Sequence, residues 1–196
     1  MSRISKLEPC QWDPELRKMT RADEATPLEQ GLMRMFAHRA PLAKGMIQFA
    51  GALKLHRTLP DRLVEIVRLR VAFFNQCRSC MAIRYRDAVA DGVTEDLVCS
   101  LEKPAEASDL TDAERCAIDY ADRFAGDHLS IDDKTYDALR RHFAEPEIVE
   151  LGMTIAFFVG FGRLAATLDM TEELPAAFQD HSRPLTPWRE ASIVVR

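Results

Sequence analysis

The sequence predicts an all-α protein, a bundle of about eight helices over residues 26–170 with extended arms over residues 1–25 and 171–196. Three observations carry this. Helix-start signals recur along the chain, as at Thr26-Pro27-Leu28-Glu29 and at Thr111 with Glu114 three residues later. Apolar residues recur at helical spacing between those signals. Strand alternation is nearly absent, and the β-branched residues of 193–195 are too few for a sheet.

Residues 1–25 carry Pro9, Trp12 and Pro14 without a helical stripe, so they read as an arm that packs on some surface. Thr26 caps a first helix with proline at N1 and glutamate at N3; it should stop near Ala40, because Pro41 opens a second helix reaching about His56. A third helix begins at Pro60, shows a broad apolar face of Leu63, Val64, Ile66, Val67 and Val71, and ends near Asn75. A fourth starts at about Cys77 and ends before Gly92, a C′ glycine. Thr94 caps a short fifth helix holding Leu97, Val98 and Leu101, and a polar loop follows from Lys103-Pro104. The helix opened by Thr111 and Glu114 ends at Gly126, and Ser130 with Asp133 opens another to about Phe143. The last helix, from about Pro146 to Asp169, is nearly apolar all round and is expected to be a buried central helix. The tail, with Pro175, Pro184 and Pro187, reads as the second arm.

The chain of 196 residues suits one domain, and 47% apolar residues suffice for a core. A net charge of −5 gives no case for nucleic acid or anionic membrane as a partner. Residues 1–15 lack the apolar core of a signal peptide, and the strongly apolar stretch 153–161 is too short to span a bilayer. A cytoplasmic protein with reduced thiols is therefore expected. Cys10, Cys99 and Cys116 stand alone; Cys77 and Cys80 form a spaced pair, which in that compartment points to redox or metal chemistry. A zinc site needs about four ligands, and His38, His56, His128, His142 and His181 are scattered without ligand spacing, so no metal or other cofactor is expected. Phe157, Phe158 and Phe161 read as packing for the core or a subunit interface, with the lining of an apolar substrate pocket as the alternative.

The chemistry concentrates in residues 63–86. A cysteine at a helix start meets unpaired N–H groups, which favour its thiolate, and two intervening residues allow the pair to close into a disulfide. If the third and fourth helices are antiparallel about residues 74 and 75, Glu65 faces Arg84 and Leu69 faces Cys80. Cys77, Cys80 and Arg84 then follow i, i+3, i+7 on one helix face. Glu65, Cys77, Cys80 and Arg84 are thus expected to converge on one site, with Arg84 holding the Cys80 thiolate.

Leu59-Pro60, Glu65, the Cys77-x-x-Cys80 pair twelve residues after it and the Ala88 to Gly92 ending resemble the carboxymuconolactone decarboxylase superfamily, and within it the alkylhydroperoxidase D-like (AhpD-like) branch. The resemblance implies an orthogonal helical bundle, a homo-oligomer, and reduction of a hydroperoxide through a dithiol/disulfide cycle, with an external dithiol as reductant. It implies that Cys80 attacks the peroxide, that Cys77 resolves it, and that Glu65 relays protons with a histidine. Arg84 stands in that histidine's place and cannot relay a proton; Ser79 stands where some members carry a second histidine. The helix-start argument favours Cys77 as the more acidic thiol, whereas the resemblance assigns attack to Cys80. Two other functions fit the same fold: a decarboxylase-like enzyme on a small carboxylic acid or lactone, with Arg84 as carboxylate clamp, and a non-catalytic binding or stress-response module. The large apolar side chains of the arms, Trp12, Leu16, Phe178 and Trp188, are expected to cover a neighbouring subunit.

Overall fold

The computed structural model describes residues 2–182, 185, 186, 188 and 192–195; Pro184 and Pro187 of the tail lie outside these. The chain is dominantly helical, as expected, but the first arm is not extended. The Asp13 carboxylate accepts a hydrogen bond from the Leu16 amide and starts helix α1 (Pro14–Met19), with Pro14 at its first position. Trp12 and Leu16 bury themselves against Ala37 and Ala43 of their own chain.

The Thr26 capping box forms and starts α2 (Pro27–Gln30). The single helix expected over residues 26–40 is broken there, because Gly31 adopts φ +49 and closes the turn. A second short helix, α3 (Met33–Phe36), and a 3-10 turn lead into α4 (Ala40–Leu55). Helix α5 (Asp61–Phe74) follows, and every residue from Leu63 to Ala72 on it is buried. This helix is the centre of the fold.

The expected fourth helix divides into three pieces: α6 (Arg78–Ala82), strand β1 (Ile83–Tyr85) and α7 (Arg86–Ala90). Gly92 at φ +90 ends the last piece. Thr94 caps α8 (Glu95–Ser100), and Thr111 with Glu114 caps α9 (Asp112–Gly126). The cap of α10 (Asp133–Leu139) is Asp132 rather than Ser130, which closes a 3-10 turn instead.

Helix α11 (Glu145–Leu168) packs on α5 and α9 through Ile148, Leu151 and Ile155. It is long and apolar enough, at mean hydropathy 1.6, to cross a membrane by length and composition. It is not the buried centre: Val149, Met153 and Leu164 are exposed on its other face. The tail forms α12 (Ala176–Gln179) and strand β2 (Ile193–Val195), which pairs in parallel with β1 from Ile83↔Ile193 to Tyr85↔Val195. Phe178 and Trp188 are buried within the chain itself, so both arms fold back onto their own domain.

Candidate redox site

Cys77 and Cys80 are joined by a disulfide, with Cα atoms 5.2 Å apart. The local backbone makes this possible. Gln76 takes φ +48 after α5, which turns the chain sharply, and Cys77 becomes the N-cap of α6. Its sulfur accepts from the Cys80 amide at 3.3 Å. Cys77 has no exposed surface, whereas Cys80 is partly exposed.

Behind the pair lies a buried charge pair that the sequence analysis placed differently. Glu65 pairs with Arg68, not with Arg84. Arg68 Nε and Nη2 donate to the two Glu65 carboxylate oxygens, each at 2.7 Å, and both side chains are buried. The same guanidinium donates to the Cys80 carbonyl at 2.6 Å and the Ile83 carbonyl at 2.9 Å. Burial alone would pull Arg68 down, but the adjacent Glu65 carboxylate outweighs it and holds the guanidinium charged. Arg68 therefore ties Glu65 to the backbone of the redox turn. The clue in the sequence was its place at i+3 from Glu65 on one helix.

Arg84 sits in β1 rather than on a helical face with the cysteines, so the i, i+3, i+7 alignment does not form. The break follows from the chain leaving helical backbone at Ile83, where β2 supplies strand partners from the far end of the sequence. Arg84 is nonetheless almost fully buried. Its Nε and Nη2 donate to Glu95 at 3.0 and 3.2 Å, and Nη1 donates to the carbonyls of Met81 and Ile83 at 2.8 and 3.0 Å. Burial lowers its pKa, against the opposing pull of Glu95. Leu69, expected to face Cys80, is buried in the main core. Cys80 packs instead on Ala72, Met81, Leu174, Phe178 and Leu185, most of them from the tail. Arg78 Nη1 donates to the Phe178 carbonyl at 3.2 Å and Gln76 Nε2 to that of Leu185 at 3.4 Å, so the tail is tied over the redox turn.

On the far side of the Glu65–Arg68 pair a cavity of about 240 Å³ opens between α4, α5 and α11. Leu53, Val64, Phe157 and Phe158 give it apolar walls, and Tyr85 lies under the Arg68 guanidinium at 5.1 Å. Two of the three phenylalanines read as packing thus also line a pocket.

Residues 40–123 match the model of the carboxymuconolactone decarboxylase family. No curated protein matches the chain. The fold is that of an uncharacterized peroxidase-related protein from Ralstonia eutropha JMP134, an alkylhydroperoxidase AhpD core, with TM-score 0.72 and 20% identity over 91% of this chain and 94% of that one. A peroxidase-related protein from Silicibacter sp. TM1040 superposes with TM-score 0.66 and 16% identity over 91% and 97% of the two chains. A protein of unknown function from Agrobacterium tumefaciens gives TM-score 0.59 and 21% identity over 71% and 97%.

Proposed function

We propose, from the match of residues 40–123 to the carboxymuconolactone decarboxylase family, that the protein is a thiol-dependent oxidoreductase that reduces a hydroperoxide. The observation that carries this is the Cys77–Cys80 disulfide at a helix start, with Cys77 fully buried and Cys80 partly exposed. In the reduced state the Cys80 thiolate attacks the terminal peroxide oxygen, the O–O bond breaks, and an alkoxide leaves and takes a proton. The Cys77 sulfur then attacks the Cys80 sulfenic acid, water leaves, and the disulfide forms. An external dithiol returns the two electrons by attacking Cys80, the less buried cysteine of the pair. That exposure favours Cys80 as the attacking residue over the helix-start argument for Cys77. Arg84 holds the turn after the redox helix through the Met81 and Ile83 carbonyls and moves no proton. The cycle suits a reducing compartment such as the cytoplasm, where the pair rests as a dithiol.

The cavity beside Glu65 and Arg68 favours one second reading, a decarboxylase-like enzyme on a small acid or lactone. A single comparison separates the two: hydroperoxide consumption with a dithiol donor, wild type against Cys80→Ser. The redox reading expects steady consumption that Cys80→Ser abolishes. Equal rates in the two proteins overturn it.

A further inference from the structure

A second cavity, of about 150 Å³, adjoins the redox turn itself, and the chemistry above makes no use of it. Gln76, Arg78 and Ser79 line it from the turn, and Asp169 and His181 line it from the far end of the chain. His181 Nε2 stands 3.6 Å from Asp169 Oδ1. Asp169 ends α11 in left-handed backbone at φ +54. The Ser79 hydroxyl lies 3.6 Å from the Cys77 sulfur. An imidazole and a carboxylate therefore line the same polar space, roomy enough for water, as Ser79, whose hydroxyl touches the enclosed sulfur.

We infer that His181, beside Asp169, is the proton reservoir of Cys77 and acts through cavity water and the Ser79 hydroxyl. The inference rests on the dithiol cycle proposed above. Cys77 has no exposed surface, so bulk water does not protonate its thiolate directly. Among the described residues, the ionisable groups lining the cavity are Arg3, Arg78, Asp169 and His181. Arginine keeps its proton, whereas imidazole is the side-chain type suited to passing one on near neutral pH.

In the reductive half, an incoming thiolate attacks the Cys80 sulfur and the S–S electron pair leaves on Cys77. Cys77 takes the Ser79 proton, and Ser79 is replenished from the His181 imidazolium through water. In the oxidative half the Cys77 thiol returns its proton along the same path as its sulfur attacks the Cys80 sulfenic acid, and the departing hydroxide takes a proton from solvent beside the partly exposed Cys80 to leave as water. The dithiol supplies both electrons, and the histidine ends each full cycle as it began.

The test follows reduction of the oxidised, full-length protein by dithiothreitol at neutral pH, quenched with acid, alkylated and weighed. His181→Asn and Ser79→Ala should each slow reduction roughly tenfold, less than the ~10²–10⁴ of direct general acid catalysis because the transfer is relayed. The double variant should be no slower than either single one. Free imidazole should restore the rate of His181→Gly, which a merely structural role would not permit. His181→Asn within twofold of wild type, or no rescue by imidazole, overturns the inference. Hydroperoxide is absent from this assay. A wild type that follows this pattern yet consumes no hydroperoxide overturns the peroxidase reading and leaves the role of His181 standing, whereas a chain that forms no Cys77–Cys80 disulfide overturns both.

Discussion

Glu65 and Arg84 show how far a spacing argument reaches. The Cys-x-x-Cys pair was legible because its geometry is local: two residues between the cysteines and one helix start decide it. The Glu65–Arg84 pairing was not, because it assumed that one helix runs unbroken from residue 77 to residue 91. The real partner, Arg68, is local too, one turn along α5, and pairs with Glu65 where both side chains are almost fully buried. The two arginines should therefore respond differently to removal. Arg68→Met strands a buried carboxylate and should cost about 3–5 kcal/mol. Arg84→Met leaves Glu95, half of whose side chain is exposed, free to turn to water. Its cost is then the loss of the two carbonyl bonds to Met81 and Ile83, about 1–3 kcal/mol. Urea unfolding of the two variants checks the order; an Arg84→Met protein weaker than Arg68→Met would mean that Glu95 matters more than Glu65.

The helices themselves were read most accurately where a side chain caps its own backbone. Thr26, Thr94 and Thr111 each accept from an amide three residues on, and each helix starts where that bond places it. Gly92 ends α7 at φ +90, so Gly92→Ala forces a side chain into left-handed backbone and should cost about 1–2 kcal/mol in thermal or urea unfolding. The pieces that escaped the sequence are those made by distant partners. Residues 83–85 leave the helix for a strand that arrives from the other terminus. The same holds for the first arm, whose amide and hydroxyl at Ser2 donate to Glu172, with Lys6 at 3.3 Å. Partial desolvation pushes the Glu172 carboxyl up, but the Ser2 hydrogen bonds and the Lys6 charge outweigh it and bring it down to about 2. A carboxyl lowered from its ordinary 4.5 favours the closed arm above that pH, and the preference fades as the pH falls toward 2. Amide protection of residues 2–6 should therefore be lost between about pH 4.5 and 2, without global unfolding, because the contact is a surface one. Glu172→Gln should lack that protection at every pH.

The assembly of the chain is where the sequence argument and the structure part most. Oligomerisation was inferred from the large apolar side chains of the two arms, yet Trp12, Leu16, Phe178 and Trp188 are all buried on their own domain. The unpartnered apolar surface lies elsewhere, and its origin is the composition of α11. A helix apolar all round needs cover on every side, and α4, α5, α6 and α9 leave part of it open. The other side presents Val149 at 56% exposure and Met153 at 50%, with Leu164 further along at the same helical spacing. Leu42, Phe49 and Leu55 of the neighbouring α4 are exposed as well, and Phe49 stacks on Phe157 of α11 with ring centroids 5.8 Å apart. The solvent-accessible surface, 10324 Å², also exceeds the roughly 9,400 Å² that size scaling gives a compact monomer of this mass. A second copy meeting this face about a two-fold axis would set like against like, which is how closed homo-oligomers form. Stable interfaces of that kind bury roughly 2,000 Å² or more in total. Light scattering at micromolar concentration should then give a mass that is a multiple of 22.2 kDa. Met153→Asp should shift that mass toward a single chain, since a carboxylate at the centre of an apolar interface must be desolvated without a partner. A wild type that scatters as one chain would instead assign the α4–α11 face, and the cavity beside it, to something other than a copy of itself.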